Sequence, residues 1–408
     1  MKNKENIGLL LIILTFALSD NRLQIFESLK WAKLILLVIF TIPLISRYNN
    51  TQILNNYTPF TFYFFIIALF TLSSKNTLID DYLRLIFLPV TVYYISKLIS
   101  VSSYQTYNQF LKLIVNSLFY FLFIGLVLAF VGWEYPWFIQ SGANFDGGGF
   151  LRFRGLMGNP NGLGLLCLFS GIFLRVVYNI RPQLFSRKKW IIIIVILCVS
   201  LVLSNSRNSL LAIALFLLFD LPLFRKSTIL SMVLASCFIF FYTYFQTIVF
   251  NFLNITNLAS SFRLYSIEDI HTASGRDVAH EFVLKKIQEN MLEGHGYGAT
   301  EKLFRDNQEY LNSLNHQGNA HNSFLTIWYE SGLFGLLIFV YSLFHILLKK
   351  KKRRFILPLF VTIFFSALNE SFLVSSLNIF TLLILTTIAI IIQNQNINEK
   401  EKNIISFH

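Results

Sequence analysis

The sequence predicts an all-α polytopic membrane protein of about 12 transmembrane helices with one long external loop, and three observations carry that reading. Hydrophobic residues make up 55% of the 408 residues and charged residues only 13%, about half the charge of a soluble domain. The apolar residues stand in blocks of roughly 13 to 24, as spanning helices require, because a backbone in lipid must satisfy its own amides. The Lys and Arg behind the net charge of +13 gather at the ends of these blocks. That placement sets topology and argues against a nucleic-acid partner.

Taken in order, the predicted spans are 7–19, 31–46, 59–73, 84–99, 111–132, 161–179, 189–204, 208–223, 228–250, 323–348, 355–369 and 371–392. The basic start Met1–Lys4 and the apolar stretch after it look like a signal peptide. No small-residue cleavage site follows, so the stretch reads as a retained first helix. The cluster Lys349 to Arg354 and the triplet Arg187-Lys188-Lys189 mark cytoplasmic connections, which places both termini inside. The expected organisation is N-terminal transmembrane helices over 1–250, a long extracytoplasmic loop over 251–322, C-terminal transmembrane helices over 323–392 and a cytoplasmic tail over 393–408. The tail is short and polar and is expected to be disordered. Cys167, Cys198 and Cys237 all lie in apolar blocks, which excludes a disulfide framework or a cysteine metal site.

The long loop holds five of the seven histidines, His271, His280, His295, His316 and His321. Ser274, with Asp277 three residues on, reads as a helix N-cap close to a capping box. Val278, Phe282, Ile287 and Met291 follow at nearly helical spacing, with Arg276 and His280 four apart on one face. An amphipathic helix near the membrane surface is predicted there, ended by Gly294, Gly296 and Gly298.

Four arginines flank apolar blocks on the predicted external side: Arg154, Arg207, Arg263 and Arg276. An arginine fork donates paired hydrogen bonds to phosphate oxygens, and a diphosphate needs more than one. Any one of them alone fits equally a side chain that snorkels to headgroups or pairs with an acid. Arg207 differs, because it lies in a tight turn between two apolar helices, where a charge needs a wet cavity or a partner. His321 sits where the loop re-enters the membrane; that position suits a general base and also an interfacial helix cap. Asp80-Asp81 could serve as metal ligands or a catalytic base but read rather as solvated charges beside Arg84, and Asp146-Gly147-Gly148-Gly149 as a flexible loop that could form a phosphate nest. Glu330 and Glu370, near helix ends, read as structural. No histidine spacing marks a zinc site, and no phosphate loop, nucleotide fingerprint or nucleophile elbow occurs. A donor resident in the membrane therefore fits better than a nucleotide sugar.

These residues carry a resemblance. Arg154-Gly155, Gly158-Asn159-Pro160-Asn161, Ser206-Arg207, Ser274-Gly275-Arg276, the turn Gly294 to Gly298, His321-Asn322-Ser323-Phe324 and Glu330 to Gly335 occur in this order over roughly 150–340. The set resembles the O-antigen ligase and polymerase superfamily of bacterial membrane glycosyltransferases. The resemblance implies a C-type glycosyltransferase-like fold, an undecaprenyl-diphosphate-linked glycan as donor, and neither metal nor cofactor. It implies that Arg207 and Arg276 clamp the lipid diphosphate with Arg154 assisting, while His321 takes the proton of the acceptor hydroxyl and the anomeric carbon inverts. Asn159, Asn161, Asn322 and Arg263 are the further substrate-binding positions.

The expected activity is polymerisation of O-antigen, capsule or exopolysaccharide at the extracytoplasmic face of a bacterial inner membrane. Polymerase is preferred because polymerases vary widely in sequence and the motifs here are abbreviated. An acceptor glycan, a chain-length regulator and a flippase are the expected partners. Two alternatives stay open: a ligase that hands finished glycan to a lipid A core, and a transporter of lipid-linked oligosaccharide. A carrier places ionisable groups at mid-membrane; the central turns here are nearly free of charge, which favours an enzyme.

Overall fold

The computed structural model describes residues 58–74, 104–131, 139–142, 150–226, 276–314, 318–350, 355–373 and 378–405, with short pieces within 31–39 and 81–93 and the single residues 233, 251 and 255. The predicted spans 7–19 and 228–250, the end of the basic cluster at 351–354, and Asp80, Asp146, Arg263, Ser274 and His316 lie outside the described residues or nearly so. The described chain is predominantly helical and divides into two compact units.

The first unit comprises 1–56, 86–214 and 377–408. It contains α2 (Tyr104–Phe130), α3 (Pro160–Ile180), α4 (Arg187–Ser204), the start of α5 (Arg207–Phe219) and α12 (Ile379–Ile405). Helix α3 is its centre, packed by α4 and α12, and Leu166, Phe173, Val176 and Val177 of α3 are fully buried. Its start is set locally. Asn159 accepts a hydrogen bond from the Gly162 amide at 2.6 Å, and Pro160 occupies the first helical position, where no amide is needed. Gly164 lets α3 approach the turn into α5 closely, since any side chain there would collide with Ser206 and Ser209.

The strand pair of this unit departs from an all-helical expectation. Ile139–Gly142 (β1) and Phe150–Phe153 (β2) pair antiparallel, with Gln140 opposite Arg152. A four-residue strand carries little sequence periodicity, so alternation could not announce it.

The second unit comprises 57–85 and 215–376. It contains α1 (Thr58–Ser73), α6 (Pro222–Lys226), α7 (Arg276–Glu289), α8 (Ala299–Asp306), α9 (Gln308–Ser313), α10 (Ser323–Lys350) and α11 (Ile356–Asn369). Helix α10 is the spine, packed by α1, α11, α7 and α8. Helix α7 is the amphipathic helix expected in the loop. Its buried face is Ala279, Val283 and Ile287, set against Phe304, Leu311, Ala320 and Tyr329; Met291 is exposed. The helix therefore covers α10 rather than presenting its apolar side to a membrane surface.

Among the described residues, Tyr107–Phe130, Pro160–Ile180 and Ser323–Leu347 are long and apolar enough to cross a membrane, and four shorter apolar helices accompany them. Helix α4 exposes Ile191, Ile192, Ile194, Val195, Val202 and Leu203. A soluble surface rarely carries so continuous an apolar face, and lipid accommodates it. The polar tail expected to be disordered continues α12 as helix to Ile405.

Candidate functional site

The site is built where α10 begins and α11 ends. Asn322 caps α10: its Oδ1 accepts from the Phe324 and Leu325 amides at 2.9 and 3.1 Å. Its own amide donates to Ser371 Oγ at 2.9 Å. Ser323 Oγ donates to the Glu370 carbonyl at 2.7 Å and accepts from the Phe372 amide at 3.0 Å. These bonds hold the strand-like turn Glu370-Ser371-Phe372 against the start of α10.

Glu370 is buried at that junction and meets two basic groups. Arg276, the first residue of α7, donates Nη2 to Glu370 Oε1 and Nη1 to the Asn369 carbonyl, both at 2.6 Å. His321 Nδ1 lies 3.5 Å from Glu370 Oε2. Burial works against charge on the carboxyl, but the Arg276 guanidinium and then His321 outweigh it and hold Glu370 below its ordinary range. A carboxylate on the Nδ1 side favours the tautomer protonated there, which leaves Nε2 as the basic nitrogen. An arginine has five N–H donors; among the described residues two are engaged, by the Asn369 carbonyl and the Glu370 carboxylate. The arrangement can therefore take a proton at one group and grip an anion at its neighbour.

His321 itself has φ of 46°. That left-handed backbone is unusual for a residue with a side chain and costs on the order of 1–3 kcal/mol. Its amide donates to Asn319 Oδ1 at 2.8 Å, which helps to hold it.

The glycine turn serves a different purpose. Helix α10 is broken at Gly332, where φ is 66° and ψ is 177°. The break frees the carbonyls of Tyr329 and Glu330, which accept from the His295 and Gly296 amides at 3.0 Å each. The Leu333 amide donates in turn to the Met291 carbonyl at 3.1 Å. The His295 ring stacks on Tyr329 with centroids 4.1 Å apart, and the Tyr297 amide donates to Thr71 Oγ1 of α1 at 3.0 Å. Glu330 is wholly enclosed, and both of its carboxyl oxygens are buried without a hydrogen-bond partner among the described residues. The turn is thus a plug in a broken helix.

In the first unit, Arg152 spends its guanidinium on Ser204 O at 3.2 Å, Asn205 O at 3.2 Å and Asn161 Oδ1 at 2.8 Å. That pins the turn before Arg207. Asn159 and Asn161 are therefore engaged in a helix cap and in this clamp. Arg154 follows β2 and Arg207 opens α5, both half-buried. Of the residues singled out from sequence, the structure brings Arg276, His321 and Asn322 together in the second unit. Arg154, Asn159, Asn161 and Arg207 lie in the first unit.

Sequence reasoning set Glu370 aside, although it joins Arg276 to His321. One signal was available: Asn369-Glu370-Ser371 interrupts two apolar blocks, and an ionisable group there is costly without a function or a partner. Among the described residues, no set of three or more His, Cys, Asp or Glu is placed to hold a metal ion.

A helical membrane protein with a guanidinium, a carboxylate and an imidazole at one helix junction is the class that fold and site define. A family model described as O-antigen ligase matches residues 192–340. The match spans Arg207, Arg276, the glycine turn, His321 and the break in α10, and it supports the O-antigen ligase and polymerase superfamily, whose members are glycosyltransferase-like enzymes. No curated protein and no solved structure matches the chain.

Proposed function

We propose that this chain is a polysaccharide polymerase that transfers an undecaprenyl-diphosphate-linked glycan to an acceptor sugar hydroxyl. The observation that supports it most is the Glu370 carboxylate shared by Arg276 and His321. In this reading the acceptor oxygen attacks the anomeric carbon from the face opposite the diphosphate. The bond from that carbon to the diphosphate oxygen breaks, and the lipid diphosphate leaves with the electron pair. His321 Nε2 takes the acceptor proton, and Glu370 stabilises the imidazolium that results. Arg276 offers its remaining donors to the diphosphate. Arg207 and Arg154 are assigned to the diphosphate by the family resemblance alone, and Arg263 is kept as a further substrate-binding position. The active site would face the extracytoplasmic side of the inner membrane.

The test is purified protein with an undecaprenyl-diphosphate-linked repeat unit, its products resolved on a gel. A ladder that disappears in His321→Ala and Arg276→Ala, with both variants still folded in the membrane, is the expected outcome. Transfer of one preformed chain to a lipid A core, with no ladder, would make the protein a ligase. Undiminished ladders from His321→Ala would remove the general-base role.

A further inference from the structure

Helix α10 is bent sharply enough to act as two helices. A straight helix would set Phe324 and Phe344 about 30 Å apart, yet both rings lie against Phe364 of α11, with centroids 5.3 and 5.6 Å away. The bend is at Gly332, where φ is 66° and ψ is 177°. The two legs differ in what covers them. From His321 to Leu333 no residue is exposed, whereas Phe334, Leu337, Tyr341 and Phe344 form an exposed apolar stripe at helical spacing. The leg from Leu333 to Lys350 is about 27 Å long, close to a hydrocarbon thickness of about 30 Å. Helix α1, packed on α10, has a matching stripe of Phe62, Phe65, Leu69 and Leu72 that reaches its last turn. There Thr71 accepts the Tyr297 amide of the glycine turn. Both lipid-facing stripes thus stop at that turn.

The helices that enter and leave the turn carry polar faces instead. Helix α7 exposes Asp277, Glu281, Lys285 and Gln288, and α8 exposes Glu301 and Arg305; such faces belong in water. Between them stand Met291 and Leu292, both exposed. The Met291 carbonyl accepts from the Leu333 amide and from Trp328 Nε1, both at 3.1 Å, which sets the pair beside the start of the Phe334 stripe. We propose that Met291 and Leu292 insert into the outer surface of the bilayer and anchor the long loop there, so that only the second leg of α10 crosses the membrane. The occupant is lipid, because the pair continues a stripe that lipid already covers. The local chemistry suits that boundary. The Met291 carbonyl is satisfied twice, as a backbone group near hydrocarbon must be. Asn290 and Glu293, which flank the pair, bond each other at 2.7 Å, and Trp328 is a side chain favoured at the interface. The placement stands whether or not the chain polymerises glycan.

The test attaches a nitroxide label to Met291→Cys, Leu292→Cys, Gln288→Cys or Leu337→Cys, one at a time, in the full-length chain. Cys198→Ala and Cys237→Ala remove competing thiols, and Cys167, which is buried, stays. Each protein is placed in vesicles of phosphatidylethanolamine and phosphatidylglycerol without any polyprenyl lipid. Oxygen, which concentrates in hydrocarbon, and a water-soluble nickel chelate, which stays out of it, are compared as relaxing agents for the label. Leu337 serves as the lipid reference and Gln288 as the water reference. Labels at Met291 and Leu292 should be relaxed more by oxygen than by nickel, as at Leu337, with the order reversed at Gln288. Relaxation mainly by nickel at both positions, as at Gln288, would overturn the inference. So would spin–spin broadening that vanishes on dilution with unlabelled protein, which would put a second copy on this surface. A shift to oxygen that occurs only after an undecaprenyl-diphosphate-linked glycan is added would also overturn it and give the surface to the isoprenoid chain.

Discussion

Glu330 and Glu370 look alike in the sequence, each a lone acid beside an apolar block, yet the fold gives them opposite work. Glu370 is shared by a guanidinium at 2.6 Å and an imidazole at 3.5 Å. Its charge is balanced by the Arg276 guanidinium, with the His321 imidazole beside it. Glu330 is enclosed, and neither of its carboxyl oxygens has a hydrogen-bond partner among the described residues. Its backbone carbonyl, not its carboxyl, receives the Gly296 amide of the glycine turn in the break of α10. The difference teaches that an acid near a membrane helix end is read by what faces it: a cation beside Glu370, and an enclosure without a hydrogen-bond partner around the Glu330 carboxyl.

The comparison breaks most sharply at Glu370. Glu370→Gln removes the charge and leaves Arg276 buried without its counter-ion. It should abolish polymer formation and lower stability by about 3–5 kcal/mol, the usual cost of breaking a buried pair from one side. The gel assay and thermal unfolding of the detergent-purified protein check both. Wild-type output from this variant would separate the junction from the chemistry.

Next comes Gly332→Ala, which acts on the other glutamate's neighbourhood. Gly332 holds φ of +66° against the Leu292 carbonyl, so a methyl group is both strained and obstructed. A loss of about 2–4 kcal/mol is expected, from strain and lost docking together. Protease cleavage near 291–298, measured against wild type, should rise with it; unchanged cleavage would mean that the plug does not depend on the break.

Glu330→Gln should have the smallest effect of the three. The volume is kept and neither carboxyl oxygen has a hydrogen-bond partner to lose among the described residues, so the loss should stay below about 1 kcal/mol. A drop in Tm as large as that of Glu370→Gln would erase the distinction drawn above.

Acid sharpens the same contrast. The folded Glu370 carboxyl is held below its ordinary range, so its contribution is present above the unfolded value and lost as pH falls through the lowered one. The Tm gap between wild type and Glu370→Gln should stay constant down to about pH 4 and close below it. A gap that closed near pH 6 would assign the stabilisation to another group.

Much of the fold was legible because bilayer physics writes itself into composition. Spans such as 161–179 and 323–348 match α3 (Pro160–Ile180) and α10 (Ser323–Lys350) within a few residues, since apolar block length is a local signal; Asn159 and Asn322, assigned to substrate from sequence, cap these two helices in the structure. Helix α7 was legible as a helix, but not its buried face: of Val278, Phe282, Ile287 and Met291 only Ile287 is buried, beside Ala279 and Val283, and Met291 is exposed. The strand pair was not, because four-residue strands are shorter than any period they could display.

The candidate site divides in the same way. Sequence by itself determined the residue types: arginines suited to phosphate, a histidine at a membrane edge, a glycine-rich turn, a chain apolar enough for a bilayer. Only the tertiary structure decided which of them meet. Arg276, His321 and Glu370 are far apart in the chain, and a hydrogen bond reaches only about 3 Å. Whether an arginine meets a carboxylate, as Arg276 does, or spends its donors on oxygens of a turn and an asparagine, as Arg152 does, depends on neighbours brought by folding. Spacing along one chain cannot encode that.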